Sequence, residues 1–344
     1  MTPHALLIFS FSLATGSVIT MTSHHLLLAW LGLEINALAI IPLMIKNPHP
    51  RAIEAATKYF LIQASASALF IFACTLNAWL TGEWITTLTL PGTPTNLLTI
   101  ALMVKLGIAP FHFWMPDVLQ GLTLPTGLIL STWMKLPPTM ILYQLTSTLN
   151  LKLLLIMGTL SVIIGGLTGI NQTQVRKILA YSSIAHLGWM TIMLKLSPNL
   201  ALFNFAIYVL MTSTLFLILH TLKIKNFANL MTTWTKSPTI TSLTLITLLS
   251  LGGLPPLTGF LPKWLIVQEL IKQDLTLTTI ILVLASLLSL FFYLRLAHAL
   301  ILTMSPNTSS SMAAWNSFLK SPTAAMIMFS IFLTPMLPLI WLMV

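Results

Sequence analysis

A chain of 344 residues that is 56% hydrophobic and only 6% charged cannot cover a water-facing surface, because soluble domains carry about 25% charged residues. Hydropathy is high along the whole length, which points to membrane helices throughout and excludes a sizeable soluble domain. The net charge of +10 does not read as nucleic-acid binding, since the 16 basic residues are scattered through apolar sequence with no aromatic-basic stripe.

Cys74 is the only cysteine, so an intrachain disulfide and a cysteine metal cluster are excluded. The first apolar run starts near Ala5 without a basic n-region, and the first helix is expected to be retained. Apolar runs of about 18–25 residues are long enough to cross a bilayer, and about eleven of them follow one another. In chain order the predicted helices cover 3–22, 25–45, 55–79, 96–115, 123–145, 151–170, 175–195, 199–222, 238–271, 276–303 and 323–343. The runs are too continuous, and alternate too little, for a barrel.

The loops orient this all-α polytopic fold. Those after helices 2, 6, 8 and 10 are predicted to hold Lys46, Arg51, Lys58, Arg176, Lys177, Lys223, Lys225, Lys236 and Lys320, against Lys152, Lys195 and Lys272 on the other side. Such a bias places the even-numbered exits and the N-terminus on the cytoplasm-like side. Trp79, Trp84 and Trp315, near predicted helix ends, fit an interfacial belt.

Helix 9 is too long for one crossing: about 34 residues would span roughly 50 Å against an apolar core of about 30 Å. Its middle, SLGGLPPLTGFLPKW, places Pro255 and Pro256 among Gly252, Gly253 and Gly259, so an interruption at membrane depth is expected. Helix 4 ends in a second break, VKLGIAPFHFWMP. Breaks at position four and position nine suggest two inverted five-helix repeats followed by a C-terminal helix, with boundaries at 1–149, 150–304 and 305–344.

Away from the ends of the predicted spans, five charged residues stand out: Glu34, Lys105, Lys135, Lys263 and Arg295. Each costs roughly 2.5–3.5 kcal/mol at mid-helix, a cost that a purely structural bundle has no use for. Burial moves lysine and carboxylate proton affinities toward the range where protons are exchanged. At about 7 Å and an effective dielectric of about 20, a carboxylate and an ammonium interact by roughly 2.4 kcal/mol, enough for one to switch the other. Glu34, Lys105, Lys135 and Lys263 are therefore the candidate proton relay. The competing roles are a structural ion pair for Glu34, snorkelling for Lys105, and compensation of freed carbonyls for Lys263. Arg295 holds its proton at any ordinary pH and is assigned a structural or electrostatic role. His112, beyond the first break, and His186, in YSSIAHLGW, are possible relay groups, with hydrogen-bonded packing as the alternative. Asp117, which also follows the first break, joins Arg295 as an electrostatic candidate. His25 and His49, like the remaining histidines, show no useful pattern and are expected at interfaces or in packing. No Walker A loop, dinucleotide fingerprint, haem attachment or metal-ligand spacing is present, so no metal or cofactor site is expected in this chain.

The segments AWLGLEINALAIIPLM, MVKLGIAPFHFWMPDV, STWMKLPP, VRKILAYSSIAHLGWM and LGGLPPLTGFLPKW, in this order, resemble the antiporter-like membrane subunits of respiratory complex I in their animal mitochondrial form. The resemblance spans residues 24 to 270 by motif and continues in hydropathy to the C-terminus. It implies proton pumping driven at a distance by quinone reduction, with Glu34 and Lys105 as the charge pair of the first half. Lys135 would be the central connecting lysine, and Lys263 the lysine of the second broken helix. The resemblance also implies the mitochondrial inner membrane with the basic loops towards the matrix. Neighbouring antiporter-like subunits, other membrane-arm subunits and phospholipids would be the partners. NADH, FMN, iron–sulfur clusters and ubiquinone would be used elsewhere in the complex. A free-standing cation/proton antiporter and a structural membrane spacer are the alternative functions.

Overall fold

The computed structural model describes residues 3–85, 92–224, 226–235 and 238–302. The predicted helix 323–343, the segment 305–344, and Lys225, Lys236, Trp315 and Lys320 lie outside the described residues. Among the described residues regular structure is helical, and the extended pairings are two isolated bridges, His25 with Ile85 and Gln174 with Asn226. This is the outcome a bilayer imposes, because a helix satisfies its own backbone groups where water cannot. Among the described residues, six helices are long and apolar enough to cross a membrane.

The chain forms two compact units, one from the chain up to Ser161 together with Leu194–Pro198, the other from Val162–Met193 and the chain from Asn199 onward. In the first unit α1 (Pro3–Thr22) and α2 (Leu26–Met44) form a close hairpin. A Cβ on Gly16 would lie 2.6 Å from Asn36 Oδ1, and one on Gly32 would lie 2.8 Å from the Gly16 carbonyl, so small residues set the approach. α3 (Pro50–Thr81) packs on α2 and on the two halves of the first interrupted helix, α4 (Thr93–Leu106) and α5 (Trp114–Gly121).

The predicted third helix starts at residue 55. The observed one begins at Pro50, which brings Arg51 out of the loop and into its first turn. Proline suits a helix start, where its missing N–H has no partner to lose. The His49 side chain caps that start by accepting from the Arg51 N–H at 3.3 Å, and His25 does the same for α2 through the Leu27 N–H at 3.3 Å. These two histidines, expected at interfaces or in packing, are helix caps. The predicted start of the seventh helix at 175 agrees with α9, whose first turn carries Arg176 and Lys177.

A second departure concerns the predicted helix 123–145. It is divided into α6 (Leu124–Ser131), a 3-10 turn (Trp133–Lys135) and α7 (Leu136–Gln144). The cause is local: Pro137 and Pro138 lack donors, and in an unbroken helix their rings would strike the Trp133 and Met134 carbonyls. α7 packs against α1, α2 and α4, so Lys135 is delivered beside them at its N-terminus.

α8 (Leu151–Ile170) leads from the first unit into the second. There α9 (Val175–Met193) and α10 (Pro198–Thr221) are followed by the short α11 (Phe227–Met231). The second interrupted helix is α12 (Pro238–Gly252) and α13 (Phe260–Lys272), both packed on α14 (Thr276–Leu302).

Candidate functional site

The two interruptions are built alike. α4 closes on Gly107 at φ 73°, with the Gly107 N–H donating to Val104 (3.1 Å) and the Ile108 N–H to Met103 (3.1 Å). α12 closes on Gly253 at φ 85°, with the Gly253 N–H donating to Ser250 (3.0 Å) and the Leu254 N–H to Leu249 (3.4 Å). Both are left-handed helix stops, which glycine adopts without strain. The two stops differ in the side chains that serve their carbonyls. In the first, Trp114 returns its indole N–H to the Val104 carbonyl (3.2 Å), and Gln63 of α3 reaches the Lys105 carbonyl (3.5 Å). In the second, the Lys263 ammonium itself donates to the Gly252 carbonyl at 3.0 Å. Neutral groups therefore serve the freed carbonyls at the first break, and the lysine serves one at the second. The lysines also lie on opposite sides of their breaks, Lys105 before Gly107 and Lys263 after Gly253.

Lys105 is buried at 7% exposure, in the last turn of α4. Its ammonium and the Oε2 of Glu34 have no hydrogen-bond partner among the described residues. Glu34, half-buried on α2, interacts electrostatically with Lys105 and with Tyr59 of α3. The direct ion pairs among the described residues are Lys58–Glu54, Lys58–Asp117 and Lys272–Glu269, so Glu34 and Lys105 act through a gap. Lys135 is buried at 3% exposure. Lys105 and Lys135 line one cavity of about 20 Å³, together with Asn36, Tyr59 and Gln63. That volume holds about one water molecule, and the polar lining supplies the partners such a water needs. The first unit thus brings Lys105 and Lys135 to one pocket, with three further polar side chains on its wall, within the field of Glu34.

Lys263 lies in the second unit, in the first turn of α13. In that unit His186 of α9 stands against Tyr208 of α10, with ring centres 5.7 Å apart. Arg295 of α14 donates to the Ile170 carbonyl at the end of α8 (2.6 Å), with its guanidinium 5.4 Å from the centre of the Phe227 ring. That is a helix-end contact for a fixed cation. In the first unit His112 is buried in the turn between α4 and α5, its ring tilted 33° to that of Phe113 with centres 4.3 Å apart. Asp117 accepts from Lys58 at 3.1 Å, so this pair ties α5 to α3.

Four residues of the first pocket with hydrogen-bonding side chains do not stand out in the sequence: Asn36, Tyr59, Gln63 and Trp114. A signal for two of them existed. Tyr59 and Gln63 are four residues apart in an apolar run, which puts their polar atoms on one face of α3. Among the described residues, no three His, Cys, Asp or Glu side chains come together in a metal-holding group.

Residues 23–289 match the family model described as "NADH:quinone oxidoreductase/Mrp antiporter, TM", and residues 290–343 match "NADH dehydrogenase subunit 2 C-terminus". The chain is 57% identical to NADH-ubiquinone oxidoreductase chain 2 of Xenopus laevis over 332 residues, covering 95% of this chain and 96% of the relative. It is 53% identical to the protein of that name from Aquarana catesbeiana, over 100% of both chains. Among solved structures it is similar to a chain of respiratory complex I from Thermus thermophilus, at a TM-score of 0.85 and 29% identity, covering 98% of this chain and 79% of that one. A chain of the Mrp complex from a Dietzia species shares the fold, at a TM-score of 0.78 and 16% identity, covering 91% and 64% of the two chains.

Proposed function

Because the chain belongs to the NADH:quinone oxidoreductase/Mrp antiporter family, we propose that its buried charges relay protons across the membrane as ubiquinone is reduced elsewhere in the complex. The chain is a core membrane-arm subunit of the proton-translocating NADH:ubiquinone oxidoreductase, and the other membrane-arm subunits are its partners. NADH, FMN, iron–sulfur clusters and ubiquinone are handled by those other subunits.

The observation that carries the relay is the cavity shared by Lys105 and Lys135 in the field of Glu34. A charged Glu34 holds a proton on Lys105. Neutralising or displacing Glu34 releases that hold, and the proton passes to Lys135 across the cavity. Lys263 serves the second half of the path. A lysine can play this part because its proton affinity responds to its surroundings, whereas Arg295 keeps its proton.

The architecture proposed around this path is eleven spans in two inverted five-helix repeats, residues 1–149 and 150–304, followed by 305–344. The like hydrogen-bonding of the Gly107 and Gly253 stops supports it. The membrane is the mitochondrial inner membrane. The excess of basic residues after the even-numbered helices supports an N-terminus on the matrix side.

Lys135→Met in the assembled complex tests the relay. Reconstituted into vesicles, that variant is expected to lose protons pumped per electron and to slow coupled quinone reduction. Normal turnover at normal stoichiometry would refute it.

A further inference from the structure

Tyr59 stands where the pieces of the first site meet, yet the relay gives it no part. It is buried at 2% exposure on α3 and lines the cavity of Lys105 and Lys135. Glu34 acts on it electrostatically, as it does on Lys105. Its ring meets Trp114 edge-on, with centres 5.8 Å apart, and Trp114 holds the Val104 carbonyl one residue before Lys105. Gln63, one helical turn further along the same face of α3, holds the Lys105 carbonyl. One face of α3 therefore touches the acid's field, the cavity and the backbone on which Lys105 is mounted. A phenol is the one neutral group at this junction that offers both a donor and an acceptor on a single rotating bond. Burying such a group in a membrane costs free energy unless it finds partners.

Resting on the relay reading, we propose that Tyr59 is a positioning residue whose hydroxyl follows the charge on Glu34 and passes it to the cavity shared by Lys105 and Lys135. While Glu34 is ionised, the phenolic O–H orients towards the carboxylate and presents its oxygen to the cavity as an acceptor. Once Glu34 gains a proton, the O–H turns into the cavity as a donor. No bond to the phenolic proton breaks. The hydroxyl only rotates, and the polarity seen by a proton moving between the two lysines reverses.

The test is Tyr59→Phe in the assembled complex, alone and combined with Glu34→Gln. The ring and its contact with Trp114 remain, and only the hydroxyl is lost. Coupled quinone reduction is expected to fall by about threefold to tenfold, the range for one lost hydrogen bond. Protons pumped per electron should fall with it. Because Tyr59 acts through Glu34, the double variant should be no worse than Glu34→Gln alone. Additive losses would overturn the proposal, as would unchanged turnover and stoichiometry in Tyr59→Phe. Failure of Tyr59→Phe to assemble would assign the hydroxyl a structural role and overturn it equally. A silent Tyr59→Phe beside a defective Glu34→Gln refutes the role of Tyr59 and leaves the relay standing. Silence of both Glu34→Gln and Lys135→Met refutes the relay itself.

Discussion

Trp114 donates its indole N–H to the Val104 carbonyl at 3.2 Å, reaching back across the turn that interrupts the first broken helix. In a continuing α4 that carbonyl would accept from Ile108, whose N–H is diverted to Met103. The indole also lies against Gly107, where an added Cβ would sit 3.2 Å from its ring. Trp114→Phe keeps an aromatic ring against Tyr59 and Gly107 but removes the donor. Val104 still accepts from Gly107, so its oxygen is not orphaned, and the expected loss of stability is modest, about 0.5–1.5 kcal/mol. Thermal inactivation of the complex in native membranes should show a small decrease in midpoint with pumping stoichiometry unchanged.

Much of this arrangement is legible in the residues, for identifiable reasons. Proline and glycine act locally, so GLPP and KLGIAP announce where a helix must stop, whatever surrounds it. Net hydropathy places the long spans for the same reason. The start of α3 was harder to read, because Pro50–Lys58 carries charges that resemble a loop. Only the folded chain shows that Lys58 is held by Glu54 and Asp117. The partnership of Gln63 with Lys105 joins residues 42 apart in sequence, and nothing short-range encodes it. The division of the fifth predicted helix was written in KLPP but yielded to the apolar run on either side. Its consequence is a shared placement: Lys105, Lys135 and Lys263 each sit at a helix interruption, where irregular backbone is tolerated because it borders protein or a polar cavity.

Gly259 separates a tolerable glycine replacement from an intolerable one. A Cβ there would lie 1.9 Å from the Ser250 carbonyl oxygen, a backbone atom that cannot move without shifting the end of α12. Gly259→Ala is expected to cost about 3 kcal/mol or more, the upper range for overpacking, and to lower the amount of assembled complex. Gly82 is the contrast. It adopts φ 76°, but a Cβ there would meet nothing within 4 Å. Gly82→Ala should cost only about 1–2 kcal/mol for its left-handed backbone and leave assembly near normal. Native-gel quantification of the two variants side by side reads the difference, and equal assembly would contradict the close approach of α13 to α12.

Lys263 occupies a position with two explanations, and a pair of substitutions separates them. Its ammonium caps the Gly252 carbonyl, which is a structural task, and it is the proposed relay lysine of the second half. Lys263→Met removes both the donor and the exchangeable proton. It should leave the Gly252 carbonyl without that bond, at a cost of about 1–3 kcal/mol, and lower assembly as well as pumping. Lys263→Gln keeps an N–H donor of shorter reach but cannot take up and release a proton near neutral pH. If the lysine works as a relay, the glutamine variant assembles close to normally and still pumps fewer protons per electron. If it works only as a cap, the glutamine variant restores both. The deciding measurement is the proton-to-electron ratio in vesicles containing equal amounts of assembled complex, because that ratio is independent of how much complex survives. A normal ratio in Lys263→Gln would return this residue to the freed-carbonyl role that its 3.0 Å contact already demonstrates.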